Sequence, residues 1–244
     1  MQRYAATLLS IIGGIMTGCA ASPIPHNIEF LQRQAREDYR AVRDVVNAGD
    51  IIFRMGNQRV LGGLVDFSKM SARMADSDFS HACIVLQAYN GESPRTDPSA
   101  GLLVADTSVY GIERKFFRDW HISGTENLVV KRLKSEYRFL IPRVLETVGG
   151  IIERDALYNA NFVYNDERFY CTQVVDFAFR VNGYPLSDLV SIKDFPNYGP
   201  LLHGTACLIG GIDPSVGVAI PGNDRIGLFS SPMLGTVIDL RPRE

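Results

Sequence analysis

Apolar positions recur at helical spacing among many charges over residues 28–49, with Asn27 as a candidate cap and Gly49 as the stop. The pattern then changes. Ile51, Ile52 and Phe53 form a short apolar run ending at Gly56, which predicts a buried strand. Residues 61–76 return to helical spacing with methionines on the apolar face, which serve better as core filler than as ligands. The run Ser80–Tyr89 is short, apolar and β-branched, the clearest strand signal in the chain. Residues 91–101 read as a hairpin-like turn, and 102–109 as the next strand. Residues 109–124 are mixed. Leu128–Leu133 supplies a further strand, and 135–158 is helical in pattern with Pro142 near the first turn, where its missing N–H matters least.

An aromatic-rich loop, Tyr158–Tyr170, leads into "CTQVVDFAFRVNG". There Val174, Val175, Phe177, Ala178 and Val181 share a broad apolar face, and Gly183 ends the helix. Residues 184–224 are rich in Gly and Pro and predict no clear element. Residues 225–240 close the chain as a short helix and a last strand. Strands clustered centrally with helices at either end predict an α+β fold, a curved antiparallel sheet packed with helices.

The first residues change the picture. Arg3 precedes an apolar run from Ala5 to Met16, too short for a stable bilayer span of about 20 residues. It reads as a secretory signal over residues 1–18. Met16-Thr17-Gly18-Cys19 resembles a bacterial lipobox, with Met16 in place of the usual leucine. Cys19 is then the lipidated new N-terminus, residues 19–28 a tether, and 29–244 a single domain. The expectation is a lipid-anchored, periplasm-facing envelope protein at the outer membrane; an ordinary signal peptide is the alternative.

Composition excludes more than it selects. At 46% hydrophobic and 21% charged the chain is an ordinary globular sequence. A net charge of −2 offers no basic footprint for nucleic acid, so no nucleic-acid partner is expected. Four cysteines are too few for a disulfide scaffold. Cys83 and Cys207 could pair in an oxidising compartment, although buried free thiols explain them equally well. No Cys-x-x-Cys or His-x-x-x-His spacing occurs, and neither a metal nor an organic cofactor is expected.

Cys171 opens the amphipathic helix, and that position favours a thiolate through unpaired N–H groups and aligned peptide dipoles. A reactive thiol needs an imidazole, and the imidazole needs an orienting group. The imidazoles are His26, His81, His121 and His203. Of these, His81 opens a strand, a rigid place from which to aim a side chain. Asp106, near the end of the following strand, is a carboxylate that burial makes expensive without a partner. Each residue also has a plainer reading: Cys171 as a small buried side chain, His81 as a satisfied structural group, Asp106 as a turn cap. Cys83 is a rival nucleophile on the strand face of His81, but no helix start stands behind it.

Taken together, "GDIIFRMG", "DFSHACIVL", "LLVADTS" and "YNANFVYNDERFYCTQVVDFAF" resemble the permuted papain-like hydrolases of the YaeF/YiiX branch of the NlpC superfamily. The closing "RIGLFSSPMLGTVIDL" is similar to that group's C-terminal segment. Histidine precedes cysteine, the permuted order. The resemblance implies a circularly permuted papain-like fold, with Cys171 as nucleophile and His81 as its base. Asp106 falls where members usually carry the longer glutamate. Tyr170 matches the aromatic beside the nucleophile, and Gln173 stands where many members have glutamate. Tyr170, Gln173 and Tyr164 are the candidate oxyanion or substrate contacts. Residues 184–224 look longer than the family norm, a candidate lid or partner surface.

The implied activity is covalent thiol catalysis on an amide in the cell envelope, as a peptidase or amidase acting on peptidoglycan peptides through an acyl-enzyme. Two alternatives stay open. One is a lipid acyl hydrolase, thioesterase or acyltransferase using the same site. The other is a non-catalytic binding lipoprotein.

Overall fold

The structure is a computed structural model that describes residues 37–56, 59–60, 65–89, 101–108, 110–117, 126–199 and 212–241. The expected signal segment, Cys19, the tether, the turn at 91–100, His26, His121, His203 and Cys207 all lie outside the described residues. Among the described residues no helix is long and apolar enough to cross a membrane.

Six antiparallel strands build the central sheet: β1 (Ile51–Met55), β4 (His81–Gln87), β5 (Leu103–Ser108), β6 (Gly111–Phe116), β7 (Glu126–Leu133) and β12 (Leu234–Asp239), in the order β12-β7-β1-β4-β5-β6. Short two-residue pairs decorate it: β2 (Arg59–Val60) with β3 (Val65–Asp66), β8 (Leu157–Tyr158) with β9 (Arg168–Phe169), and β10 (Val190–Ser191) with β11 (Gly217–Val218). Among the described residues, α1 (Phe67–Met74), α2 (Ile141–Glu153) and α3 (Cys171–Arg180) accompany them, together with the helical residues 37–43.

Alternation along the strands makes two cores, because successive side chains point to opposite faces. One face carries Ile51, Phe53, Ala82, Ile84, Ala105 and Val129, and packs against Val144, Val148 and Ile151 of α2 and Val174, Val175 and Ala178 of α3. The other carries Ile52, Cys83, Val85, Val104, Leu128 and Val130, and is covered by Val42 and Val46 beside the helical residues 37–43. Each of these fully buried Val, Ile or Phe side chains contributes about 1.5–3 kcal/mol against exposure.

The sequence pattern and the elements differ at several places. The helix expected over 28–49 is helical over 37–43 among the described residues and gives way to turns before Gly49. The helix expected over 61–76 starts later, at Phe67, because the Asp66 carboxylate accepts from Lys69 N at 3.0 Å and caps it. The helix expected over 135–158 divides into a 3-10 turn (Ser135–Leu140) and α2, with Pro142 in the first turn of α2. The mixed stretch after residue 109 contains a full strand, β6, whose Glu113 and Arg114 are exposed. It is the edge of the sheet, so charge replaces the apolar alternation that marks inner strands.

The C-terminal segment packs beneath the start of β4. Phe79, two residues before His81, bridges to Gly222. Gly222 has φ +86°, and a Cβ there would lie 1.8 Å from Ile226 O, so only glycine fits. Phe79, Phe53 and Phe229 form an aromatic triangle with centroids 4.8–5.7 Å apart, joining that loop to β1 and to the C-terminal segment. From the Gly/Pro-rich stretch, Leu186, Ile192, Phe195 and Val218 enter the α-helical core rather than standing apart from it.

Candidate active site

The site forms where the start of α3 meets the start of β4. Tyr170 is extended at φ −100° and ψ 169°, and Cys171 is the first residue of the helix. The N–H groups of that first turn have no intrahelical acceptor. Loop 158–170 is held rigidly against this helix start. Asn159, fully buried, donates to Val163 O at 2.8 Å and to Gln173 Oε1 at 2.9 Å. Gln173 in turn accepts from Tyr170 N at 3.4 Å and donates to Asn165 O at 2.8 Å. The amide of Gln173, also fully buried, is therefore a lock between loop and helix, one half of a capping box.

The two aromatic candidates are likewise engaged in the scaffold. The Tyr170 hydroxyl accepts from Ala219 N at 2.7 Å, tying the helix start to the C-terminal segment. The Tyr164 hydroxyl donates to Asp176 Oδ2 at 2.6 Å, and Arg180 holds the same carboxylate from one turn on at 2.8 Å. Burial and the Asp176 charge push the Tyr164 phenol well above its ordinary range. The polar ends of Tyr164, Tyr170 and Gln173 thus face helix, C-terminal segment and loop respectively.

His81 is fixed from both sides. It pairs across the sheet with Arg54, Ser80 N donates to Arg54 O at 3.2 Å, and Gly56 N donates to Ser80 Oγ at 2.8 Å. The ladder between β1 and β7 shifts register at Arg54/Met55, a local irregularity of the kind that re-aims side chains near sites. Cys171 Sγ lies 3.9 Å from Ser80 O and 3.6 Å from Thr172 Oγ1. Cys171 and His81 interact both as charges and through a side-chain hydrogen bond. His81 Nε2 sits 2.8 Å from Asp106 Oδ1, with the imidazole 15% and the carboxylate 6% exposed. Aspartate, one methylene shorter than glutamate, spans the gap because β5 is hydrogen-bonded directly to β4.

The structure therefore brings Cys171, His81 and Asp106 together, although 90 residues separate the sulfur from the imidazole. Their protonation follows from the geometry. Burial alone would lower His81, but the Cys171 charge and the Asp106 hydrogen bond raise it to about 9. Burial alone would raise the Cys171 thiol; the His81 charge and hydrogen bonds from His81, Thr172 and the Ala82 backbone bring it below its ordinary value. Asp106 is pushed up by burial and pulled further down by His81 and Lys115, so it stays ionised. The arrangement favours a thiolate–imidazolium pair beside an ionised carboxylate.

Cys83 is different. It is 1% exposed, lies in the second core, and burial pushes its thiol well up. It is a free thiol buried among apolar side chains. Two charged residues of the site carry no sequence motif. Arg54, 7% exposed, is coupled to the charges of Asp106, Cys83 and Cys171. Lys115 reaches Asp106 Oδ2 at 2.9 Å. A charge ending the otherwise apolar run of β1 was the available signal for Arg54; for Lys115 none existed without β6.

With the geometry in place, comparison decides the family. The family described as "Permuted papain-like amidase enzyme, YaeF/YiiX, C92 family" matches residues 45–195, well over half of the chain. The chain belongs to that family. Its matched region contains His81, Asp106 and Cys171. The crystal structure of the metalloprotein yiiX from Escherichia coli O157:H7 is similar at a TM-score of 0.61 and 20% identity, covering 81% of this chain and 99% of that one. That likeness shows a common permuted papain-like fold. No curated protein matches the chain. The word metalloprotein belongs to the yiiX structure; among the described residues here, no three His, Cys, Asp or Glu side chains gather into a set that would hold a metal ion.

Proposed function

We propose that this member of the amidase family hydrolyses an amide bond in the cell envelope, with Cys171 as nucleophile, His81 as general base and acid, and Asp106 as the group that orients His81. The observation that carries the reading is the continuous line from Cys171 through His81 to Asp106, with Nε2 fixed 2.8 Å from Oδ1. Because Nε2 is engaged by Asp106, Nδ1 is the nitrogen left to serve the sulfur.

The chemistry runs as follows. The Cys171 thiolate attacks the carbonyl carbon, the C–S bond forms, and the carbonyl π pair moves to oxygen. The N–H groups of the first turn of α3 receive that oxyanion. The oxyanion collapses, the C–N bond breaks, and His81 gives its proton to the departing nitrogen, leaving a thioester and neutral imidazole. Water then gives a proton to His81 and its hydroxide attacks the thioester. The C–S bond breaks, the acid leaves, and the thiolate–imidazolium pair returns. An imidazole raised to about 9 is well matched to an amine leaving group, which cannot depart without a proton.

The substrate class we infer is a peptide amide of peptidoglycan, and the address is a lipid on Cys19 that anchors the chain facing the periplasm. Purified sacculi and phospholipid vesicles offered in parallel separate this from acyl-ester hydrolysis. The reading expects stem-peptide fragments from sacculi, lost in Cys171→Ala; fatty-acid release from vesicles alone, or activity retained by Cys171→Ala, contradicts it. For the anchor, Cys19→Ala is expected to move the protein from the membrane to the soluble fraction, and an unchanged distribution contradicts lipidation.

A further inference from the structure

Asp106 faces a problem created by its own sheet. In the β5/β6 ladder it stands directly opposite Glu113, and like charges opposite each other on neighbouring strands repel. Such repulsion favours protonation of one carboxylate or rotation of Asp106 away from His81. Lys115, two residues along β6 and on the same face as Glu113, sits between the two acids. Its Nζ lies 2.9 Å from Asp106 Oδ2 and 2.8 Å from Glu113 Oε1.

We propose that Lys115 is a positioning residue for the thiol site, a cationic clamp that holds the second oxygen of Asp106 so that the first stays on His81. The inference rests on the reading of Cys171 as nucleophile and adds a component that lies outside the Cys–His–Asp line. Each Asp106 oxygen has its own cation: Oδ1 meets His81 and Oδ2 meets Lys115. A short carboxylate has less freedom to adjust than glutamate, and a second anchor fixes its rotation about the Cβ–Cγ bond. Glu113 supports the clamp from the solvent side, where its side chain is 50% exposed against 6% for Asp106.

The groups facing Asp106 come from three elements. His81 and Cys83 belong to β4, Arg54 to β1, and Glu113 and Lys115 to β6, while Cys171 of α3 interacts with His81. Arg54 supplies charge from the strand on the far side of β4, whereas Lys115 supplies the hydrogen bond to Oδ2. Removing Lys115 therefore changes geometry as well as charge. Both effects act in the same sense: a less fixed carboxylate holds His81 less well, and a lost cation leaves the thiolate less favoured.

The test measures iodoacetamide alkylation of Cys171 against pH in the full chain, with the site read by peptide mass spectrometry. Lys115→Met keeps the aliphatic stem without the charge, and Lys115→Arg restores a cation. The expected result is an acid limb moved up by about one pH unit in Lys115→Met, so that labelling on that limb slows roughly tenfold. Lys115→Arg is expected to recover most of the shift. A Lys115→Met profile that overlays the unsubstituted protein, whatever its melting temperature, overturns the clamp while leaving Cys171 as nucleophile. An unsubstituted Cys171 that titrates like an ordinary thiol overturns the nucleophile reading itself, and the clamp with it.

Discussion

At the residue scale, three side chains set the behaviour and their protonation sets its pH range. His81 is raised to about 9 in the fold, above its ordinary value of about 6.5. Its contribution to stability is therefore fully present below about pH 6.5 and is lost as pH rises through about 9. The Cys171 thiol is lowered from 9.0. Its contribution is present above that value and is lost as pH falls through the folded value. Between neutrality and about pH 9 the two changes oppose one another, because the folded pair and the unfolded chain each hold one proton. Urea midpoints are therefore expected to stay nearly level from about pH 7.5 to about pH 9 in the native protein and to fall in His81→Gln, whose Cys171 thiol has no imidazolium to favour its charge; a native midpoint that falls as far as the variant's contradicts the ion pair. Asp106→Asn preserves shape but removes the charge that fixes the imidazole, and amide hydrolysis is predicted to drop at least about a hundredfold. Activity within tenfold of the native protein would show that Asp106 does not orient His81. Residue types alone did not reveal Lys115 or Arg54 as members of the site. A lysine in a charged stretch gains meaning only when its strand is paired with β5.

At the element scale, β4 and α3 were legible because each satisfies a local rule. The Ser80–Tyr89 run is apolar and β-branched, and the Cys171 helix combines a clean apolar face with Gly183, at φ +84°, as its stop. β6 was hidden because an edge strand carries charge on its open side. The two-residue pairs β8/β9 and β10/β11 were hidden for another reason: their partners are set by long-range packing, which no local pattern encodes. The same holds for Gln173, Tyr164 and Tyr170. Position in a motif marked them as substrate contacts, yet their polar ends are turned to the scaffold. Gln173→Ala should then act through the helix start, leaving Tyr170 N and buried Asn159 short of partners. We predict a loss of about 1–3 kcal/mol in urea unfolding. Undiminished stability would contradict the locking role.

At the scale of the whole molecule, distant parts of the chain converge on the start of β4. The Phe53–Phe79–Phe229 triangle joins the first strand, the loop before His81 and the C-terminal segment. Tyr170 adds a second tie through Ala219. The C-terminal segment is thus part of what holds the site, although the family match ends at residue 195. Phe229→Ala is predicted to destabilise by about 3–5 kcal/mol and to reduce alkylation of Cys171 in the protein that remains folded, with full reactivity contradicting the long-range support. The α+β class and the permuted order were readable from the chain; the support of the site by Ala219, Gly222 and Phe229 depended on three dimensions.

The proximity of sulfur and imidazole underlies every step of the proposed chemistry, and titration of His81 by NMR tests it most directly. The imidazole is predicted to titrate near pH 9 in the native protein, held there first by the charge on Cys171, and to fall by a unit or more in Cys171→Ala. A histidine that titrates near 6.5 in the native protein, or whose midpoint ignores the loss of the sulfur, would contradict the ion pair.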